Sequence, residues 1–187
     1  MKDTGPGIEA ASEAFEPGVH WLVAGVGTPA AGDDEIGLAL VRALSRDPER
    51  AARCRLLECA DAAMVATALL EWRQPVLLVD AADMGLAPGS YRLFPESHAS
   101  LALKTSSVST HGLSLADGLE LARILGFDLP VHIFGVQPFD VSPRRGMTPE
   151  LTALFPRLLE ALKDACVRLS RLKTPGEMQG RSASELM

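Results

Sequence analysis

Short apolar runs alternate along this chain with stretches whose apolar positions recur at helical spacing. "WLVAGVG" (21–27) reads as a first strand, and from about Asp34 a helix follows, with Ile36, Leu40, Val41 and Leu44 on one face of a period of about 3.6 residues. That helix is expected to end near "SRDPER". "CRLLEC" (54–59) predicts a second strand and "DAAMVATALLEW" (61–72) a second helix, stopped by the turn at Arg73, Gln74 and Pro75. "PVLLVD" (75–80) predicts a third, fully buried strand. After the turn "MGLAPGS", the run "YRLF" suits an edge or antiparallel strand. "HGLSLADGLELARILG" predicts a helix with Ser114 as N-cap and Gly126 just past its end. "VHIFGVQP" (131–138) is the last core strand. A final helix begins with Thr148 as N-cap, Pro149 in the first helical position and Glu150 in the first turn, and Pro156 is expected to kink it. Strands alternating with helices in this way predict an α/β fold with a mostly parallel sheet.

Composition narrows the picture without changing it. At 187 residues the chain suits one domain, placed at 19–173, and the tails 1–18 and 174–187 are expected to be loosely ordered because they are rich in Gly, Pro, Ser and charge. Aromatic residues are only 5% of the sequence, so the core must be aliphatic. A net charge of −6 with no long basic run argues against nucleic acid as a partner, since phosphate binding needs a basic face. The apolar runs fall far short of the roughly 20 residues of a membrane span, and the N-terminus carries acids and glycines where a signal peptide needs an apolar region. The three cysteines, Cys54, Cys59 and Cys166, lack the spacing of a zinc site or a disulfide framework. They are expected to be buried thiols in a cytoplasmic protein, with Cys59 set apart by its place at a strand end.

In an open α/β sheet, ligands bind beyond the carboxyl ends of the strands. The polar residues expected there are Asp33 and Asp34 after the first strand, Asp80 and Asp83 after the third, and Gln137 after the last, with His111 in a loop, "SSVSTHG", feeding a helix. Helix capping explains only one of the paired aspartates, Asp33 or Asp34, and leaves the other for the cleft. Asp80 ends a run of Val and Leu that must be buried, and an uncompensated buried carboxylate costs several kcal/mol, so something must partner it. Backbone N–H groups could do so, as could a metal ion or a proton shared with another carboxylate. Two Asp and one His form a ligand set suited to a divalent transition metal with positions left open. His20, His98 and His132 lack such company.

A competing reading takes "GVGTPA", beginning at Gly25, Val26 and Gly27, as a dinucleotide-binding turn, with Glu58 as the ribose-binding acid. Against it, Pro29 and Gly32 interrupt the turn, Glu58 comes late, and the aspartates stand where a pyrophosphate needs donors.

Four blocks of the sequence resemble the maturation endopeptidases of [NiFe]-hydrogenases. "GVGTPAAGDDEIG" is similar to that family's G-I/V-G-N-x-x-x-x-D-D/E-x-x-G, with Thr28 where the family usually has Asn; "VLLVDAADMGLAPG" resembles its apolar strand ending in D-A before a P-G turn; "STHGLSLADGLELARILG" and "VHIFGVQPFDVSPRRGMTPEL" follow in the family's order. Within the family, "VDAADMGLAPGSYRLF" looks most like proteases serving the hydrogenase of formate-hydrogenlyase-type complexes. The resemblance implies a three-layer α/β/α fold with about five strands, and it places the family's metal-contacting residues on Asp34, Asp80 and His111, which leaves Asp33 as the expected helix cap. It also implies the activity, removal of the C-terminal extension of a hydrogenase large-subunit precursor after nickel insertion. The nickel would be borne by the substrate, with no tightly bound organic cofactor. Nothing in the sequence demands more than a monomer. A metal-assisted hydrolysis and an aspartic-type dyad of Asp34 and Asp80 both remain open, and a non-catalytic hydrogenase-assembly protein on the same fold is the third alternative.

Overall fold

The apolar runs at 21–26, 76–79 and 131–136 become strands whose two faces are both largely shut off from water. The computed structural model describes residues 21–51, 53–72, 74–98 and 115–171. The expected tails, the Ser114 cap and His111 lie outside the described residues. Strands β1 (Trp21–Val26), β2 (Cys54–Cys59), β3 (Val76–Ala81), β4 (Tyr91–Pro95) and β5 (Val131–Val136) form one sheet in the order β2-β1-β3-β5-β4. β1 pairs in parallel with β2 and β3, and β3 in parallel with β5. β4 runs antiparallel to β5 at the sheet edge, in keeping with its less apolar sequence.

Alternate strand residues point to opposite faces, and each face is covered by helices. On one side Leu22, Ala24, Val76, Leu78 and Ile133 pack with Val65 and Leu69 of α3 (Ala62–Glu71) and with Leu119 and Ala122 of α4 (Leu115–Ile124). On the other, Trp21, Val23, Leu77, Val79 and Phe134 pack with Ile36, Leu40 and Leu44 of α1 (Ile36–Leu44) and with Leu158 and Leu162 of α5 (Pro149–Ser170). The result is the expected α/β/α sandwich. Each of these large aliphatic side chains contributes about 1.5–3 kcal/mol by leaving water.

The local signals place most helix ends correctly. Asp61 caps α3 by accepting the Met64 N–H at 2.8 Å, Thr148 caps α5 by accepting the Leu151 N–H at 3.2 Å, and Gly126, past α4, takes a φ of +95°. One feature differs from expectation. A short helix, α2 (Pro48–Ala51), forms in "DPER", where the sequence reading had only a helix end. Pro156 lies inside α5, whose inner face is held by Leu151, Leu158 and Leu162 on the sheet; packing of that face keeps the helix going past the missing N–H.

The strand order also fixes where a ligand can go. From β1 the chain moves to β2 on one side, then returns past β1 to β3 on the other. The chain leaving β1 goes to one side and the chain leaving β3 to the other, so the C-terminal ends of β1 and β3 form the switch point where such sheets open a ligand crevice. Among the described residues no helix is long and apolar enough to cross a membrane.

Candidate active site

The glycines of "GVGTPAAGDDEIG" seat one backbone directly on another. A Cβ on Gly25 would lie 2.4 Å from the Gly37 carbonyl oxygen, and one on Gly37 would lie 2.2 Å from the carbonyl oxygens of both Val26 and Val79. The first turn of α1 therefore sits on β1 and β3 where the crevice opens, which no larger residue would allow. Gly27, at a φ of +151°, brings the chain off β1 so closely that a Cβ there would meet the Asp34 carbonyl oxygen at 2.0 Å.

A single 3-10 turn, Gly32–Glu35, precedes α1 and carries Asp34 to the crevice. The carboxylate of Asp34 accepts the Thr28 N–H at 2.7 Å through Oδ2, and Oδ1 has no hydrogen-bond partner among the described residues. Asp80, at the end of β3, lies close enough to Asp34 to feel its charge. Loss of solvent pushes its acid well above the usual carboxylate range, and the negative charge of Asp34 pushes it further, while the Ala81 backbone N–H pulls the other way. Two of the four short-listed aspartates, Asp34 and Asp80, are thus brought together, with Asp80 disposed to hold a proton. His111, the third expected member, lies outside the described residues. Among the described residues no group of three or more His, Cys, Asp and Glu side chains is placed to hold a metal ion. Two carboxylates by themselves are fewer ligands than a divalent metal centre takes.

Asp33 does something the sequence did not suggest. It is not a helix cap: the 3-10 turn has Ala31 at its N-cap and α1 has Glu35, and neither makes a side-chain capping bond. Its side chain turns instead into the molecule, fully buried, toward the loop between β5 and α5. There Oδ2 accepts the N–H groups of Phe139 at 2.8 Å and Asp140 at 3.0 Å and the Thr148 hydroxyl at 3.1 Å, while Oδ1 accepts the Thr148 N–H at 2.7 Å. Four donors compensate a buried charge, which the one to three kcal/mol typical of each charge-assisted bond makes possible. Those partners lie more than 100 residues away in the chain, so no local pattern could have pointed to them.

Comparison with known proteins decides what this crevice belongs to. The family profile described as HycI, hydrogenase maturation protease, matches residues 38–165. The curated hydrogenase 2 maturation protease of Escherichia coli is 30% identical over 141 residues, covering 74% of this chain and 85% of that protein. The solved structure of the hydrogenase maturating endopeptidase HybD from E. coli matches with a TM-score of 0.62 at 29% identity, covering 82% of this chain and 94% of its own. An E. coli endopeptidase solved in solution matches with a TM-score of 0.67 at 26% identity, over 83% and 96% of the two chains. The chain belongs to the hydrogenase maturation protease family.

As a maturation protease it uses its remaining strand-end residues for structure. Gln137, buried just past β5, accepts the N–H groups of Met84 at 2.8 Å and Leu86 at 3.2 Å, and its amide donates to Asp83 at 3.3 Å. It holds the loop after β3, which forms a wall of the crevice beside Asp80. The dinucleotide reading loses its parts one by one. Glu58 pairs through both carboxylate oxygens with Arg42, the Thr28 amide is taken by Asp34, and Gly25 is filled by α1. Cys59 is fully buried, and desolvation raises its thiol to about 11, so it is inert rather than a nucleophile of this hydrolase.

Proposed function

We propose that this protease removes the C-terminal extension of a [NiFe]-hydrogenase large-subunit precursor after nickel has been inserted, acting in the cytoplasm as a single chain and recognising the substrate's nickel through Asp34, Asp80 and His111. The observation that carries this reading is the meeting of Asp34 and Asp80 at the switch-point crevice, where one of the two is disposed to keep its proton. Two adjacent carboxylates repel each other, and a divalent cation arriving with the substrate relieves that repulsion while displacing the Asp80 proton. Binding and selection of the mature precursor then coincide, and the scissile bond is held over the crevice. Hydrolysis further requires a polarised carbonyl, an activated water and a proton for the leaving amine. The names of the relatives, which include a hydrogenase 2 and a hydrogenase 3 maturation protease, support a hydrogenase precursor as substrate.

The proton disposition at Asp80 also favours a second reading of the chemistry, in which Asp34 and Asp80 share one proton as an aspartic-type dyad and His111 assists. Incubating the purified protein with nickel-loaded and nickel-free precursor, and weighing the products by mass spectrometry, separates the two. Nickel recognition predicts cleavage of the loaded form alone; equal cleavage of both forms leaves only the dyad. In the same assay, full activity of His111→Ala removes that residue from the site, and a precursor that is bound but never shortened means the chain acts as a binding protein.

A further inference from the structure

The 3-10 turn that carries Asp34 has little to hold it in place by itself. It is four residues long, has no side-chain cap at either end, and must keep a carboxylate close to a second one. Besides the Thr28 N–H that Asp34 accepts and the start of α1, what holds it is the loop between β5 and α5, through bonds in both directions. The Gly32 N–H donates to the Arg144 carbonyl at 3.3 Å and the Asp33 N–H to the Asp140 carbonyl at 3.1 Å. In return the Asp33 side chain accepts from Phe139, Asp140 and Thr148. Gly32, at a φ of +61°, lets the two backbones meet, since a Cβ there would lie 2.9 Å from the Ser142 carbonyl oxygen and 3.0 Å from that of Asp140.

We propose that Asp33 is the positioning residue of this protease: by tying the turn Gly32–Glu35 to the loop 138–148, it fixes the Asp34 carboxylate against Asp80 in the geometry that cleavage needs. Asp33 touches neither substrate nor reacting atoms, being fully buried beneath the turn. Its effect reaches the chemistry through one peptide bond. Thr148 is the far anchor, since its hydroxyl donates to Asp33 at 3.1 Å and accepts the Leu151 N–H at 3.2 Å, joining the turn to the start of α5. A site residue held from the side in this way keeps its position when the second carboxylate repels it.

The inference rests on Asp34 being a site residue, and one set of variants tests both. Asp33→Asn, Asp34→Asn, Thr148→Val and Thr148→Ser are assayed for precursor cleavage well below their melting temperatures, so that only folded protein is measured. Asp33→Asn is expected to lower kcat at least tenfold with KM changed less than threefold, and to shrink the preference for nickel-loaded over nickel-free precursor, a ratio that a purely structural defect leaves alone. Thr148→Val is expected to give a smaller fall in kcat of the same kind, and Thr148→Ser, which keeps the hydroxyl, to restore it. Should Asp33→Asn fail to fold, the Thr148 pair decides. Wild-type kcat and selectivity in folded Asp33→Asn, or in Thr148→Val, overturn the proposal while a loss in Asp34→Asn leaves the site standing. Wild-type cleavage by Asp34→Asn overturns the site reading and the positioning role together.

Discussion

The pocket around Asp33 and the crevice shared by Asp34 and Asp80 begin one residue apart in the chain, yet they treat a carboxylate in opposite ways. Asp33 is fully buried and meets four donors, two from the backbone of 139–140 and two from Thr148. Asp80 also loses solvent, but among the described residues it has the single Ala81 N–H to set against desolvation and the charge of Asp34, and its acid rises. Burial alone therefore does not mark a functional carboxylate. What separates the two is whether the fold supplies donors: where it does, the charge is structural, and where it does not, the group is left ready for a proton or a cation.

The largest test of this contrast is Asp33→Ala. Four buried donors would lose their acceptor at once, and the unfolding free energy is expected to fall by about 3–5 kcal/mol, read by urea denaturation. A loss below about 1 kcal/mol would mean that water reaches the pocket and that the contrast is false.

Asp80→Asn should behave in the opposite sense. Its raised acid means that the native chain holds a proton which the unfolded chain releases above the usual carboxylate range. Ionising Asp80 thus costs stability as pH rises from that range toward the native value, and at about pH 3 both states are protonated and the cost is absent. The variant is expected to melt higher than the wild type at pH 7 and at the same temperature near pH 3, while precursor cleavage falls by about two orders of magnitude or more. A lower melting temperature at pH 7 would show that Asp80 is compensated as Asp33 is.

Gly25→Ala tests the seat on which the crevice is built. With the Gly37 carbonyl oxygen 2.4 Å from the new Cβ, α1 must shift, and a loss of about 1–3 kcal/mol is expected together with weaker cleavage. The smallest effect belongs to Glu58→Gln. The ion pair with Arg42 is largely exposed, so calorimetry should show less than about 1 kcal/mol and the cleavage assay no change. Titration of the wild-type protein with NAD, followed by fluorescence, is expected to show no binding; saturable binding that Glu58→Gln weakens would revive the dinucleotide reading.

Much of this was legible in the sequence. The apolar runs at 21–27, 54–59, 75–80 and 131–138 named the parallel strands to within a residue or two, and "YRLF" announced an edge strand by its weaker apolar character. The aspartate ending "PVLLVD" stood out because a carboxylate after four buried aliphatic residues needs an explanation. Capping by Thr148 was equally visible, since Thr-Pro-Glu is a local pattern whose partners lie within one turn.

The sequence by itself determined the class of the fold, the covered sheet and the strand ends at which chemistry could gather, because hydrophobic periodicity and turn residues act over a few positions. Capping and spacing alone could not divide the labour between Asp33 and Asp34, and the resemblance that gave Asp34 to the cleft did not say what would hold Asp33. Two identical side chains side by side carry the same local signal, and only the return of the chain at 139–148 decided that one would be enclosed by donors. The same holds for Gly37, which reads as an ordinary helix residue until β1 and β3 are laid beneath it. Tertiary structure decided these points because the partners of a buried charge and the clearance above a glycine are set by segments far apart in sequence, brought together only when the sheet has formed.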